Sequence, residues 1–273
     1  MNGKKILNKR TRLLPIIALL LILSVAVAGC DLFAPEPQNP TSGGSDSGSE
    51  TTEPEKEEEK EEDKYAKPDV VTRGDYTLDA NYSRLLLVNA EYPLPDDYNY
   101  GWNLTKIEDK YHNGELNQID AGIWPYMKAM IEAAWSDGVK LYVWSPYRSY
   151  NTQKMLFENR VKKEGGDEAK AAQSVARPGT SEHNTGLCAD FNMASSKFES
   201  TEMFTWMCGH AEDYGFILRY PQDRIDITGV KYESWHWRFV GINRAKEINN
   251  LNVTLEEYIE LKGLDPQADL YKE

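Results

Sequence analysis

The chain has 273 residues, enough for one large domain or two small ones, and a formal net charge of −13. Its first 29 residues carry five Lys or Arg and no acid, so the remainder has 26 bases against 44 acids, a net charge of −18. Such an acidic surface excludes nucleic acid as a partner, because phosphates need basic patches. It also argues against electrostatic binding to anionic lipids.

The N-terminus predicts export. A basic stretch precedes an apolar run at 13–27, which is short for a transmembrane span and contains Pro15. The run ends in Val27-Ala28-Gly29-Cys30, which resembles the lipobox of bacterial lipoproteins. This resemblance implies a signal peptide at 1–29 and diacylation of Cys30, which would anchor the protein at the extracytoplasmic face of the bacterial cell membrane. An ordinary signal anchor is the alternative.

Residues 30–67 predict a disordered, acidic linker. Pro, Ser, Gly and Thr dominate its first part, and a run of Glu and Lys follows from Glu53 to Lys64. This composition offers too little apolar surface to offset the entropy of ordering the chain. As a flexible coil the linker would span about 35 Å. The folded domain, expected at 68–273, would therefore stand away from the membrane.

Helices and short strands alternate irregularly in residues 68–273. An aromatic and Met stripe from Trp124 onward has helical spacing, favours core packing, and ends at Gly138. Further helices are predicted at 151–164, 167–175, 200–213, 241–250 and 254–263. Strands are predicted at 85–88, 139–144, 187–192, 216–218 and 232–240, whereas 96–118 receives no assignment. The pattern predicts an α+β fold with a small, mainly antiparallel sheet flanked by helices.

Two separated segments offer the side chains of a metal site. His183 and Asp190 lie on either side of Gly186, whose turn lets a loop imidazole and a strand carboxylate converge on one ion. His236 supplies a second imidazole, and Glu233 lies three residues before it. Two His and one Asp make a three-ligand zinc set, and a Glu nearby is the usual general base.

Other polar residues leave alternatives open. His112 and His210 are expected to be surface or capping residues. Arg148 follows a predicted strand and precedes a helix, where it either binds a substrate carboxylate or pairs with one of the many acids. Cys188 and Cys208 either form a disulfide or stay as buried free thiols.

Several motifs follow one another along the chain: Ser145-Pro146-Tyr147-Arg148-Ser149 with Gln153, Pro178 to Asp190, Gly215 to Pro221, Ile227-Thr228-Gly229, and Glu233 to Arg238. Taken together and in this order, they closely resemble the VanY-type D-alanyl-D-alanine carboxypeptidases. These belong to a superfamily of zinc peptidases that includes lysostaphin-like enzymes and the hedgehog amino-terminal domain. The resemblance runs from about residue 85 to 241. It departs at Ser234, where a proline is common, and at Cys188, where a small or aliphatic residue is usual.

The resemblance implies a hedgehog/D-Ala-D-Ala-peptidase-like fold and one zinc ion per chain. It implies zinc ligands at His183, Asp190 and His236, with Glu233 as catalytic base. It also implies a substrate site that contains Arg148, Gln153 and Ser181.

The expected activity is removal of the C-terminal D-Ala from peptidoglycan stem peptides by a monomeric enzyme. The motifs leave open an L,D-carboxypeptidase or an endopeptidase acting on peptidoglycan. A non-enzyme alternative is a peptidoglycan-binding lipoprotein with structural zinc, although the presence of Glu233 favours an enzyme. A serine peptidase is disfavoured, because the chain contains no Ser-x-x-Lys and no Gly-x-Ser-x-Gly.

Overall fold

The computed structural model of the protein describes residues 69–270, except 100 and 102. The predicted signal peptide, the lipid site at Cys30 and the linker at 30–67 lie outside the described residues. Within the described part of the chain, no helix combines the length and apolar character that crossing a bilayer requires.

The described residues contain short strands and seven α-helices, joined by single 3₁₀ turns and loops. The strands are β1 Val70–Arg73, β2 Tyr76–Asp79, β3 Leu104–Lys106, β4 Gln118–Asp120, β5 Val143–Ser145, β6 Cys188–Phe191, β7 Phe216–Leu218 and β8 His236–Phe239. The α-helices are α1 Trp124–Ser136, α2 Tyr150–Lys163, α3 Glu168–Ala172, α4 Glu202–His210, α5 Ile225–Thr228, α6 Ile242–Leu251 and α7 Leu255–Lys262.

The central sheet has four strands in the order β5-β6-β8-β7, and each neighbouring pair is antiparallel. Two hairpins, β1-β2 and β3-β4, form separate two-stranded sheets. This arrangement confirms the predicted α+β class with a small antiparallel sheet. In the central sheet Asp190 lies opposite His236, so strand pairing brings together two residues that are 46 positions apart in sequence.

Alternate residues of β6 and β8 divide the sheet into two faces. Ala189, Phe191, Trp237 and Phe239 point to one face and join the main hydrophobic core. Helix α1 packs into the same core through buried residues of its predicted stripe, which confirms that the stripe is a packing surface. Cys188, Asp190, His236 and Arg238 share the other face and are also buried.

The prediction of a strand at 85–88 is wrong. The segment is buried, but its backbone groups form hydrogen bonds with side chains and with a turn, and not with a neighbouring strand. Asp269 accepts from the amide of Leu85 at 2.6 Å, and Arg238 donates to the carbonyl of Leu86 at 2.7 Å. An apolar run of this length predicts burial correctly, whereas the partner of its backbone depends on distant residues.

Two predicted strands are shorter than expected. The strand predicted at 139–144 comprises Val143–Ser145, and the one predicted at 232–240 begins at His236. Glu233 therefore lies in the turn before β8. Trp235 also precedes the strand and lines the cleft, whereas Trp237 belongs to the hydrophobic core on the face opposite His236.

Candidate active site

A 3₁₀ turn and a loop hold His183. The turn spans Glu182–Asn184 and leads to Gly186, whose φ of 74° favours glycine. A Cβ at that glycine would lie 2.9 Å from the amide nitrogen of Asp120, so the close approach also requires glycine. The Nδ1 atom of His183 donates to the carbonyl of Pro146 at 2.7 Å, which fixes the tautomer and leaves Nε2 as a ligand atom.

Asp190 lies between the two imidazoles. Its Oδ1 atom is 3.3 Å from Nε2 of His183 and 3.1 Å from Nδ1 of His236. The two rings meet edge to face, with centroids 4.8 Å apart. The structure thus brings together all three ligands that the sequence predicted.

These atoms fit a zinc ion in chemistry and spacing. Zn–N and Zn–O bonds of about 2.0–2.2 Å place neighbouring ligands of a tetrahedral ion roughly 3.3 Å apart. The distances from Asp190 to the two imidazole nitrogens match this spacing. Two nitrogens and one carboxylate oxygen from three side chains are typical of a catalytic zinc site, which keeps one position open.

The charges at this cluster favour a cation. Burial by itself would raise the pKa of Asp190, but His183 and Arg148 outweigh burial and hold that pKa well below its usual range. Burial would lower the pKa of His236, yet Cys188, Asp190 and Glu182 raise it well above normal. The surroundings of Asp190 therefore favour positive charge beside its carboxylate, and a metal ion would supply such a charge.

Glu233 has the position and acidity of a general base. Its Oε2 atom is 3.9 Å from Nδ1 of His236, and its ligand atom lies within 4.8 Å of those of Asp190 and His236. Burial, aided by Asp190, raises the pKa of Glu233 to about 7. A carboxyl group with such a pKa can accept and return a proton near neutral pH.

Arg148 does not extend freely into solvent. Its Nη2 atom donates to Oδ2 of Asp190 at 2.6 Å, and its Nε atom donates to Oγ of Ser145 at 2.9 Å. The side-chain oxygen of Gln153 accepts a long hydrogen bond of 3.5 Å from Nη1 of Arg148, and its amide nitrogen donates to the carbonyl of Ala176. The guanidinium thus pairs with an acid, one of the two expected alternatives, while it still borders the cleft.

The cleft contains every candidate site residue in the described part of the chain. Its volume is about 1150 Å³, and the residues lining it include Arg148, Gln153, Ser181 and Glu233, together with the three candidate zinc ligands. Ser181 is buried at the start of the 3₁₀ turn. His112 and His210 do not line this cleft; each places Nδ1 against a backbone carbonyl, as expected for structural histidines.

A buried ion network behind His236 was missed by the sequence analysis. Glu182 accepts from Arg219 at 2.7 Å and from Arg238 at 2.8 Å, and Arg219 also pairs with Glu256. Burial would raise the pKa of Glu182, but the two arginines hold that pKa well below its usual range. The other carboxylate oxygen of Glu182 lies 3.6 Å from Nε2 of His236.

Neither Oε2 of Glu182 nor Nε2 of His236 has a hydrogen-bond partner within the described residues. A carboxylate behind a ligand imidazole orients the ring and raises its basicity. The sequence offered one signal for this contact, namely that Glu182 is adjacent to the predicted ligand His183.

The two cysteines of the domain are free thiols. Cys188 is buried and Cys208 is exposed, so the open question of a disulfide is answered against one in this structure. The Sγ atom of Cys188 lies within 4.8 Å of ligand atoms of His183 and His236. Cys188 therefore belongs to the candidate metal cluster.

Comparison with known proteins gives consistent matches. The family described as "VanY: D-alanyl-D-alanine carboxypeptidase" matches residues 116–242. The chain is 41% identical over 191 residues to the putative carboxypeptidase YodJ of Bacillus subtilis (strain 168). This match covers 64% of this chain and 67% of YodJ.

Solved structures extend the comparison to the fold. The LdcB LD-carboxypeptidase has 39% identity and a TM-score of 0.59, and the match covers 64% of this chain and 84% of LdcB. A mutant of the vancomycin-resistance D,D-pentapeptidase VanY in complex with Zn(II) has 36% identity and a TM-score of 0.55. That match covers 64% of this chain and 98% of the VanY chain.

Proposed function

Because the chain belongs to the VanY family of D-alanyl-D-alanine carboxypeptidases, we propose that it removes the C-terminal D-Ala from peptidoglycan stem peptides. The expected class of enzyme, a zinc-dependent carboxypeptidase, is confirmed at the level of the family. The observation that carries the proposal is the convergence of His183, Asp190 and His236 beside Glu233.

We propose that His183, Asp190 and His236 hold the zinc ion through Nε2, the carboxylate and Nδ1. When bound there, zinc acts as a Lewis acid that polarises the scissile carbonyl and lowers the pKa of water. Glu233 accepts the proton of the attacking water and then donates it to the departing amine. Its pKa of about 7 suits both transfers. The presence of this base favours an enzyme over a binding protein with structural zinc.

Arg148 is proposed to set the preference for a chain end. Its guanidinium lies at the cleft and is held by Ser145, Asp190 and Gln153. A fixed guanidinium attracts the terminal carboxylate of a peptide, a group that an internal peptide bond lacks. Ser181, which also lines the cleft, is proposed to contact the same substrate.

An L,D-carboxypeptidase acting on tetrapeptide stems is the second candidate. The observation that favours it is the likeness to LdcB, whose identity and TM-score match or exceed those of the D,D-pentapeptidase. Both reactions release D-Ala, so the shape of the substrate, and not the chemistry, separates them.

We further propose that the enzyme acts outside the cell as a lipid-anchored monomer. The motif ending at Cys30 and the acidic linker at 30–67 support this location. A membrane anchor with a flexible linker would let the catalytic domain reach stem peptides in the wall.

The deciding experiment incubates the protein with synthetic pentapeptide and tetrapeptide stems and follows D-Ala release by mass spectrometry. We expect release from the pentapeptide, and no release after zinc is removed with a chelator. Release from the tetrapeptide alone would replace the D,D with the L,D assignment. No release from either stem by the zinc-loaded protein would refute both.

A further inference from the structure

Cys188 is an unused soft donor at the metal cluster. It precedes Asp190 by two residues on β6, so both side chains lie on the same face of the sheet. Its thiol is free and fully buried. The proposed hydrolysis assigns it no role.

Two ligand sets overlap on the same imidazoles. Ligand atoms of His183, Cys188 and His236 lie within 4.8 Å of one another. The carboxylate of Asp190 lies within 3.3 Å of both imidazoles. One pocket thus presents two nitrogens with a choice of third ligand, an oxygen or a sulfur.

His236 is shared by both ligand sets, and one of its two ring nitrogens makes no hydrogen bond in the described part of the chain. Its side chain is 3% exposed, and its Nε2 atom has no hydrogen-bond partner within the described residues. Oε2 of Glu182 lies 3.6 Å from this nitrogen and is also without a hydrogen-bond partner there. A buried imidazole with an unsatisfied nitrogen costs free energy unless another group engages the ring.

We propose that His183, Cys188 and His236 form a second metal site for thiophilic ions, in which the sulfur replaces the carboxylate of Asp190. Thiolate selects soft ions, whereas carboxylate suits hard ones, and imidazole accepts both. On binding, the thiol releases its proton to solvent and the sulfur forms a bond to the ion. The ion enters from the cleft, which already borders both imidazoles. The proposal rests on the proposed metal centre and does not require hydrolysis.

The test uses Cd²⁺ as probe and the full chain, stripped of metal and kept in a thiol-free, oxygen-free buffer. Titration of the parent protein should produce a thiolate-to-cadmium charge-transfer band in the ultraviolet with a stoichiometry set by one site. Cys188→Ala should lose that band. Cys208→Ala is the matched control and should keep it, since Cys208 lies outside the cluster. Cys30, whose thiol the proposed lipid anchor would block, is present in every variant, so any contribution cancels in the difference spectra, from which the stoichiometry is read.

A competition titration gives the second measurement. The preference for Cd²⁺ over Zn²⁺ should fall on the order of 10–100-fold in Cys188→Ala, the range seen when a group that supports a metal site is removed. Cys188→Ser repeats the test with a side chain of similar size that lacks the soft donor. Circular dichroism verifies that both variants are folded.

Equal bands and equal preferences in the parent and in both Cys188 variants would overturn the proposal. So would loss of the band in Cys208→Ala. The two proposals fail separately. A parent protein that binds Cd²⁺ through sulfur but releases no D-Ala refutes the proposed function alone, whereas hydrolysis without a sulfur band refutes the second site alone.

Discussion

The two faces of the central sheet are made by alternate residues of the same strands, yet they differ in how their side chains are held. On the apolar face, Phe239 contacts the rings of Tyr82, Tyr126 and Phe216 with centroids 4.9–5.9 Å apart. These contacts are non-directional, and several residues share them. On the charged face, each group depends on a few short, directional contacts, as with Asp190 between two imidazoles and Arg148.

The difference shows where stability and chemistry reside in one small sheet. Packing on the apolar face stabilises the strands, and their pairing then places Asp190 opposite His236. Charges on the opposite face are buried only because they are paired, since an unpaired buried charge costs several kcal/mol. Changes to the two faces should therefore have separable effects on unfolding and on metal binding.

Removal of His183 should have the largest effect. His183→Ala deletes one of the three proposed zinc ligands, so we expect zinc content to fall from one per chain to near zero and D-Ala release to cease. Elemental analysis after gel filtration measures the metal. Retention of one zinc per chain in the variant would show that the ligand assignment is incorrect. Absence of metal from the parent would overturn the zinc centre altogether.

Glu233→Ala should separate chemistry from metal binding on the charged face. We expect zinc content to stay at one per chain, because Glu233 is not a proposed ligand. The rate of D-Ala release should fall by about 10²–10⁴, the usual contribution of a general base. A kcat/KM comparison with the parent measures this. Hydrolysis at the parent rate would refute the proposed mechanism.

Phe239→Ala tests the apolar face. Truncating this fully buried ring should lower the free energy of unfolding by about 3–5 kcal/mol through lost burial and a cavity. Denaturant unfolding measures the change. The matched control is Leu261→Ala at a residue that is 62% exposed, where the change should stay within about 0.5 kcal/mol. If Phe239→Ala cost no more than the control, this face would not be the stabilising one.

Glu182→Gln should be the most informative change, because it affects both stability and metal binding. Glutamine keeps an oxygen acceptor but leaves the buried Arg238 without its charged partner, so the free energy of unfolding should fall by about 3–5 kcal/mol. Zinc affinity should fall on the order of 10-fold, since the carboxylate behind His236 supports that ligand. An equilibrium competition with a chelator measures the affinity. Unchanged affinity in a destabilised variant would make Glu182 purely structural.

The amino-acid sequence alone determined the chemistry of the site. Residue types and spacing around Gly186 predicted His183 and Asp190, and the order of the motifs predicted His236 and Glu233. Local signals also predicted α2 and β7 closely. These features are readable because turn geometry, helix periodicity and ligand chemistry each depend on a few neighbouring residues.

Tertiary structure alone decided which partner each buried polar group takes. The pairing of Arg148 with Asp190 joins residues 42 positions apart, and that of Glu182 with Arg238 joins residues 56 apart. The same long-range contacts left the segment at 85–88 without a strand partner and placed the thiol of Cys188 near both imidazoles. Contacts of this kind leave no periodic signal in the sequence, because any of the many acids and bases of the chain could have paired until packing selected one.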